Sequence, residues 1–233
     1  MSTLGGVPRS SASSPTVQTT EMLIGLTRKF LFISNLKSAS TSIEVALRPL
    51  SEIIFTEQRD LKHLPFSDIQ ERFSWIFEVI PTTEFLIFCV MRDPVDLMIS
   101  LYNSHTKDEF KPFPPLYTGN MDFDEFLSEW CSIFQDQVAP QHLRLLTKDK
   151  TVGANFVISY DRLTEGLQYV ASKIDAPALC PLAPANVSPR RLSRVDLTDR
   201  QLAWISQHFE DDFRFMERFC DHLLTPAEQR SWS

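Results

Sequence analysis

The chain has 233 residues, with 23 Lys and Arg against 30 Asp and Glu, for a formal charge of −7. An acidic balance argues against a general nucleic-acid binder, yet a few basic side chains and backbone amides still suffice for a local anion pocket. Hydrophobic residues are 43% and charged residues 23%, the composition of a soluble globular protein with one core.

Residues 1–22 are rich in Ser, Thr, Gly and Pro and lack the apolar core of a signal peptide, so they read as a disordered leader. Residues 23–225 are expected to form one domain and residues 226–233 a tail. No apolar run reaches the about 18 residues of a membrane span, and a cytoplasmic location is the simplest inference. Cys89, Cys131, Cys180 and Cys220 are scattered without a C-x-x-C pair, which argues against a zinc site. Reduced, buried thiols are the expectation, with two secretory disulfides as the alternative.

Phe30-Leu31-Phe32-Ile33 has the look of a short buried strand. Small polar residues follow from Asn35 to Ser42, then a helical face from Ile43 to Leu47, which Pro49 stops. Residues 52–56 are predicted as a second strand, and Ser67-Asp68-Ile69-Gln70 as a capping box that opens a helix. Phe85 to Met91 gives the strongest strand signal. It runs through Arg92-Asp93-Pro94 into a helix bearing Leu97, Met98, Leu101 and Tyr102, with Pro94 suited to the first turn. Residues 106–121 hold Pro112, Pro114, Pro115 and Gly119 and read as a long loop, a candidate substrate-facing flap. Residues 122–130 read as an amphipathic helix, residues 155–159 as a strand, and Asp161 as the cap of the next helix. Residues 175–197 read as irregular, and Thr198-Asp199-Arg200-Gln201 is a second capping box before a final helix.

Strands alternating with helices imply an α/β fold with a mainly parallel central sheet, and ligands of such sheets sit beyond the carboxyl ends of the strands. Two polar junctions, at residues 35–42 and 92–100, are therefore the candidate site. In the first, Lys37-Ser38-Ala39-Ser40-Thr41-Ser42 stands between a strand and a helix. A helix N-terminus offers N–H groups and a positive dipole end, small residues allow close approach, hydroxyls donate, and Lys37 adds charge. This is not a Walker A loop, for it holds no glycine and its lysine comes first. Taken alone, it also fits a polar turn with a solvated lysine. In the second junction, Arg92 ends a buried strand and Ser100 lies on the following helix. A guanidinium fork with a hydroxyl suits a phosphate monoester. A surface ion pair of Arg92 with Asp93 or Asp96 is the competing reading.

Together, Phe32 to Ile43 (Phe-Ile-Ser-Asn-Leu-Lys-Ser-Ala-Ser-Thr-Ser-Ile) and Val90 to Tyr102 (Val-Met-Arg-Asp-Pro-Val-Asp-Leu-Met-Ile-Ser-Leu-Tyr) resemble the two phosphate motifs of the sulfotransferases that use 3′-phosphoadenosine 5′-phosphosulfate (PAPS). The likeness is nearest to carbohydrate O-sulfotransferases and small bacterial relatives. It extends to Phe156–Leu163, to Ala185–Arg190 and to the helix ending Asp211-Asp212-Phe213, so that it spans residues 28–219.

The resemblance implies a P-loop-like three-layer α/β/α domain. It implies that Lys37, Ser38, Ala39, Ser40, Thr41 and Ser42 hold the 5′-phosphosulfate and that Arg92 and Ser100 hold the 3′-phosphate. Lys37 would also act catalytically on the leaving phosphate. His63 matches the position of the family's proposed base, with His105 as the fallback; an exposed loop histidine is the plainer reading of His63. His142, His208 and His222 read as helix-surface residues. Asn186 and Arg190 are further candidate nucleotide contacts, and Arg190, Arg191 and Arg194 form a basic cluster that either serves the site or is solvated. Phe110, Phe113, Tyr117 and Phe123 line an acceptor cleft or anchor the loop. The implied donor is PAPS, the product adenosine 3′,5′-bisphosphate (PAP), and no metal is required. The implied partner is a hydroxyl-bearing acceptor, a carbohydrate or small molecule, with no nucleic acid and no membrane span. A catalytically inactive PAP-binding protein on the same fold is the alternative. The chain departs from the family at Leu97, where many relatives carry arginine, and at Ala39 and Ser40, where glycine is frequent.

Overall fold

A computed structural model describes residues 22–55, 63–182 and 191–232. The strands are β1 (Met22–Gly25), β2 (Phe30–Ile33), β3 (Ile53–Phe55), β4 (Leu86–Met91) and β5 (Phe156–Ser159), in the sheet order β3-β1-β2-β4-β5. The helices are α1 (Ser40–Leu47), α2 (Phe66–Arg72), α3 (Ser74–Val79), α4 (Pro94–Ser104), α5 (Phe123–Glu125), α6 (Cys131–Ile133), α7 (Leu163–Lys173), α8 (Asp199–His208), α9 (Glu210–Phe219) and α10 (Pro226–Gln229). A π-helical turn, Phe126–Trp130, joins α5 to α6.

The α/β class holds, but the sheet is mixed rather than mainly parallel. β2, β4 and β5 are parallel, whereas β1 runs antiparallel to both β2 and β3. The cause is a hairpin at residues 26–29, where Lys29 takes a φ of 51°. A turn this short can join only antiparallel neighbours, since a parallel crossover needs about a dozen residues. Position 25, the last of β1, is held by glycine because a Cβ there would lie 2.1 Å from the Phe30 ring.

Side chains alternate across the sheet and build two cores. On one face Leu31, Ile33, Ile87, Met91 and Val157 meet Phe66, Ile69, Ile76, Phe215 and Phe219 from α2, α3 and α9. On the other, Phe30, Phe32, Phe88, Val90 and Ile158 meet Ile43, Leu47, Leu167 and Val170 from α1 and α7. Helices thus cover both faces, which gives three layers. A third cluster joins α4 to the α5–α6 segment and α8 through Leu97, Leu101, Phe126, Trp130 and Ile205.

Several termini follow local chemistry. Asp93 caps α4 by accepting from Val95 and Asp96 amides at 2.9 and 3.3 Å, with Pro94 in the first turn. Thr198 and Gln201 form the expected capping box of α8. Others do not. α2 starts after Pro65 rather than at Ser67, which carries both Phe66 and Ile69 into the core. Asp161 caps nothing, because β5 runs into a 3-10 turn and α7 begins at Leu163 without a side-chain cap. The single final helix divides at the fully buried Phe209, whose ψ of 25° breaks the helical path between α8 and α9.

Met22, assigned to the leader, is the first residue of β1, and residues 1–21 lie outside the described residues. The expected tail packs on the domain. Trp232 lies 5.2 Å from the Phe215 ring and 5.4 Å from His142, and the Gln229 carbonyl accepts from the Val152 amide at 2.8 Å.

All four cysteines are free thiols. Burial pushes Cys131 up to about 12 and raises Cys89 and Cys220 as well, which keeps them protonated. Among the described residues, no helix is long and apolar enough to cross a membrane, and no group of His, Cys, Asp and Glu is arranged to hold a metal.

Candidate functional site

The parallel strands β2, β4 and β5 end side by side, with Ile33 paired to Cys89 and Met91 to Ser159. The chain leaves this edge at residues 34–39, 92–93 and 160–162, and an α/β sheet presents its ligand crevice there.

The loop after β2 is held from within. Asn35 is fully buried and its Nδ2 donates to the Val90 carbonyl at 3.1 Å, which ties the loop to β4. Ser38 is also fully buried and its hydroxyl donates to the Asn35 carbonyl at 2.7 Å, so this side chain shapes the loop instead of facing outward. Lys37 and Ala39 both take left-handed backbone angles, with φ of 56° and 60°. Ala39 stands at the N-cap of α1, which no side chain caps, so the positive end of the helix is presented to the loop. Ser40 is buried in the first turn, followed by the half-buried Thr41 and Ser42.

The left-handed angle at Ala39 is costly for a residue with a Cβ. Ala39→Gly is expected to stabilise the protein by about 1 kcal/mol and raise its Tm by about 2–4 °C. A thermal melt checks this; a lower Tm would mean that the Ala39 methyl, which packs on the α1–α7 core, contributes more than the strain costs.

Lys37 is largely desolvated and stands near Lys107, Arg92 and Glu109. Burial first, then the charges of Lys107 and Arg92, lower its ammonium to about 8, with Glu109 partly opposing them. Arg92 reaches the loop directly: its Nη1 donates to the Lys37 carbonyl at 3.1 Å, and its guanidinium lies 4.4 Å from the centre of the Tyr160 ring. Its Nε is buried and, among the described residues, has no hydrogen-bond partner. The Asp93 and Asp96 carboxylates pair instead with Arg194, at 2.7 and 3.9 Å. Among the described residues no carboxylate pairs with Arg92, so the competing ion-pair reading of this arginine does not hold.

Ser100 is half-buried on α4, four residues after Asp96 and three before Asn103, on one stripe of the helix. The segment at 191–196 lies along this stripe. Asn103 accepts from the Arg191 and Leu192 amides at 3.2 and 3.1 Å and donates to the Leu192 carbonyl at 2.9 Å, while Arg194 meets Asp93 and Asp96. Arg191 and Arg194 of the basic cluster are thus anchored beside α4. Asn186 and Arg190 lie outside the described residues.

His63 is half-buried and anchored to the end of β2. Its Nδ1–H donates to the Ser34 carbonyl at 3.2 Å, and its own carbonyl accepts from Arg144 at 2.7 Å. His105 is buried, with Nδ1–H donating to the Leu101 carbonyl at 3.0 Å and its ring 4.5 Å from Phe110. Burial, opposed by the Leu101 carbonyl and reinforced by the charges of Lys37 and Lys107, brings its imidazole down to about 4. His105 is therefore neutral at pH 7 and stands near Lys37. His142, expected on a helix surface, is buried, with Nδ1 2.6 Å from the Asp212 carboxylate. His208 donates to the Val138 carbonyl at 2.9 Å, and His222 sits 3.2 Å from Glu228 at the surface.

In the 110–123 stretch Tyr117 and Phe123 are buried anchors and Phe113 is exposed. Leu97 is buried in the α4–α8 cluster, where an arginine would have no room for its charge. Two further residues belong to the site. Glu44, on the buried face of α1, accepts from the Ser34 hydroxyl at 3.0 Å. Its sequence signal is an acid among Ile43, Val45, Ala46 and Leu47. Gln141 binds the backbone of Arg92, and nothing local in the sequence marks it.

No protein-family model, curated protein or solved structure matches the chain. The assembled edge brings together a lysine-bearing loop at the start of α1, an arginine that reaches this loop without a described carboxylate partner, and the imidazoles of His63 and His105.

Proposed function

We propose that the protein is a PAPS-dependent sulfotransferase that moves a sulfuryl group to a hydroxyl acceptor, a carbohydrate or small alcohol, and releases PAP. The observation that carries this reading is Arg92. It is buried at Nε, unpaired with any described carboxylate, and in contact with the backbone of the Lys37 loop. Two anion-binding elements at adjacent strand ends suit a ligand with two separated phosphate groups, which a lone phosphate loop would not require. The β2–loop–α1 unit, with β2, β4 and β5 as its parallel centre, supports a P-loop-like reading of the three layers.

In this reading the loop amides at 38–41 and the Ser40, Thr41 and Ser42 hydroxyls hold the 5′-phosphosulfate. Arg92 and Ser100 hold the 3′-phosphate, with Asn186 and Arg190 as further contacts. His63 takes the acceptor's hydroxyl proton at Nε2 as the acceptor oxygen bonds to sulfur. The bond from sulfur to the 5′-phosphate oxygen breaks in line, and Lys37 neutralises the charge that collects on that oxygen. His105, held near a pKa of 4, is the weaker base of the two. The test is incubation with ³⁵S-labelled PAPS and a panel of oligosaccharides, alcohols and phenols. Label transfer to any of them supports the reading. PAP binding without transfer would identify an inactive nucleotide-binding protein.

A proton-linked signature follows from Lys37. Its pKa of about 8 in the free protein lies below the ordinary 10.5. A bound polyanion raises it, so between the two values binding draws in a proton, and affinity falls as pH rises through that window. At about pH 8.5 the calorimetric enthalpy of PAP binding should depend on the buffer's ionisation enthalpy, with net proton uptake that Lys37→Met abolishes. Buffer-independent enthalpies would place Lys37 away from the anion.

A further inference from the structure

Arg92 stands one residue beyond the last pair of the β4–β5 ladder, Met91 with Ser159. Its peptide groups have run out of strand partners, yet both are bonded. The Gln141 Oε1 accepts from the Arg92 amide at 2.9 Å, and the Gln141 Nε2 donates to the Arg92 carbonyl at 2.7 Å. One side-chain carboxamide thus takes the place of a strand's peptide and extends the ladder by a residue.

Gln141 is itself fixed. It is 3% exposed, at the start of the 3-10 turn Gln141–Leu145. Its amide donates to one oxygen of the Asp212 carboxylate at 2.8 Å, and the other oxygen accepts from the His142 amide at 2.9 Å and lies 2.6 Å from His142 Nδ1. Asp212 is fully buried on α9. A chain of hydrogen bonds therefore runs from α9 through Gln141 to Arg92, and from the Arg92 guanidinium to the Lys37 carbonyl. Without it the Arg92 peptide groups would lose their described hydrogen-bond partners, leaving the exit from β4 to the sheet behind it, the Asp93 cap and Arg194 pair ahead, and the guanidinium's own contacts.

We infer that Gln141 is a positioning residue: it fixes the backbone of Arg92, so that the guanidinium stays between the Lys37 loop and Tyr160, aimed at the 3′-phosphate. This rests on the reading of Arg92 as the 3′-phosphate ligand. Gln141 does not itself touch the nucleotide, so its loss should be felt only through Arg92.

The test pairs PAP with adenosine 5′-phosphate, which lacks only the 3′-phosphate, against the full chain. Gln141→Leu keeps the side-chain volume and leaves the Arg92 amide unpaired. It is expected to weaken PAP about 10-fold while changing adenosine 5′-phosphate less than about 2-fold. Gln141→Glu keeps the acceptor, loses the donor, and should fall between; it also serves if the leucine variant does not fold. In an Arg92→Ala background, Gln141→Leu should cause no further loss. Equal weakening of both nucleotides, or additive losses in the double variant, would overturn the inference and leave Gln141 a general packing residue. The Arg92 Nε–H resonance of the nucleotide-free protein gives an independent reading. It should be ordered in the wild type and mobile in either Gln141 variant, and an unchanged signal would overturn positioning. A folded wild type that binds no PAP would sink the sulfotransferase reading, while this resonance would still decide the role of Gln141.

Discussion

Lys37→Ala is expected to slow sulfuryl transfer by about 10²–10³-fold while weakening PAP by less than about 10-fold. The asymmetry comes from where charge develops. In the proposed reading the loop amides and the start of α1 hold the 5′-phosphate, so the lysine adds modestly to ground-state binding. As the sulfur–oxygen bond lengthens, negative charge builds on the bridging oxygen, and a partly desolvated ammonium acts on it with little reorganisation. Lys37 has the right setting, because burial and neighbouring cations have already lowered it to about 8. Single-turnover rates with ³⁵S-labelled PAPS, beside PAP titrations of the same variant, separate the two effects. A loss of affinity as large as the loss of rate would make Lys37 a binding residue only.

The second large effect is on recognition. Arg92→Ala should weaken PAP by about 30-fold or more, yet leave adenosine 5′-phosphate within about 3-fold. A fork donating charge-assisted hydrogen bonds to a phosphate dianion is among the stronger polar contacts available. Arg92 is prepared for it by the Tyr160 ring beneath the guanidinium and by the bond to the Lys37 carbonyl. Its preorganisation is also the reason that Arg92→Lys should rescue poorly, since a lysine ammonium can neither stack as a plane nor form a fork. Equal weakening of both nucleotides would mean that Arg92 supports the loop and does not read the 3′-phosphate.

The elements that place the site were legible because their signals are local. Phe30 to Ile33 and Phe85 to Met91 are apolar runs of strand length, and Asp93-Pro94 marks a helix start by side-chain chemistry alone. The juxtaposition of the Lys37 loop and Arg92 followed from the expectation that both leave a common sheet edge, and a 3.1 Å contact now joins them. What escaped depends on partners far along the chain. β1 is four residues long and is made a strand by the hairpin with β2 and by pairing to β3. His142 reads as a helix-surface residue because histidines are often found at surfaces, but Asp212, 70 residues on, holds it in the core. Gln141 is invisible for the same reason, since its partners are the backbone of Arg92 and the carboxylate of Asp212. Ser38 shows the converse case: its type suggested a phosphate ligand, and the loop's own geometry uses its hydroxyl internally.

The most direct test of the central claim is calorimetric titration of the wild-type protein with PAP, with Mg²⁺-ATP and adenosine 5′-phosphate as comparisons. The sulfotransferase reading predicts saturable one-to-one binding of PAP, much weaker binding of adenosine 5′-phosphate, and no preference for Mg²⁺-ATP. Folded protein that ignores PAP, or that prefers Mg²⁺-ATP, would contradict it and leave the loops at the ends of β2 and β4 to another anion.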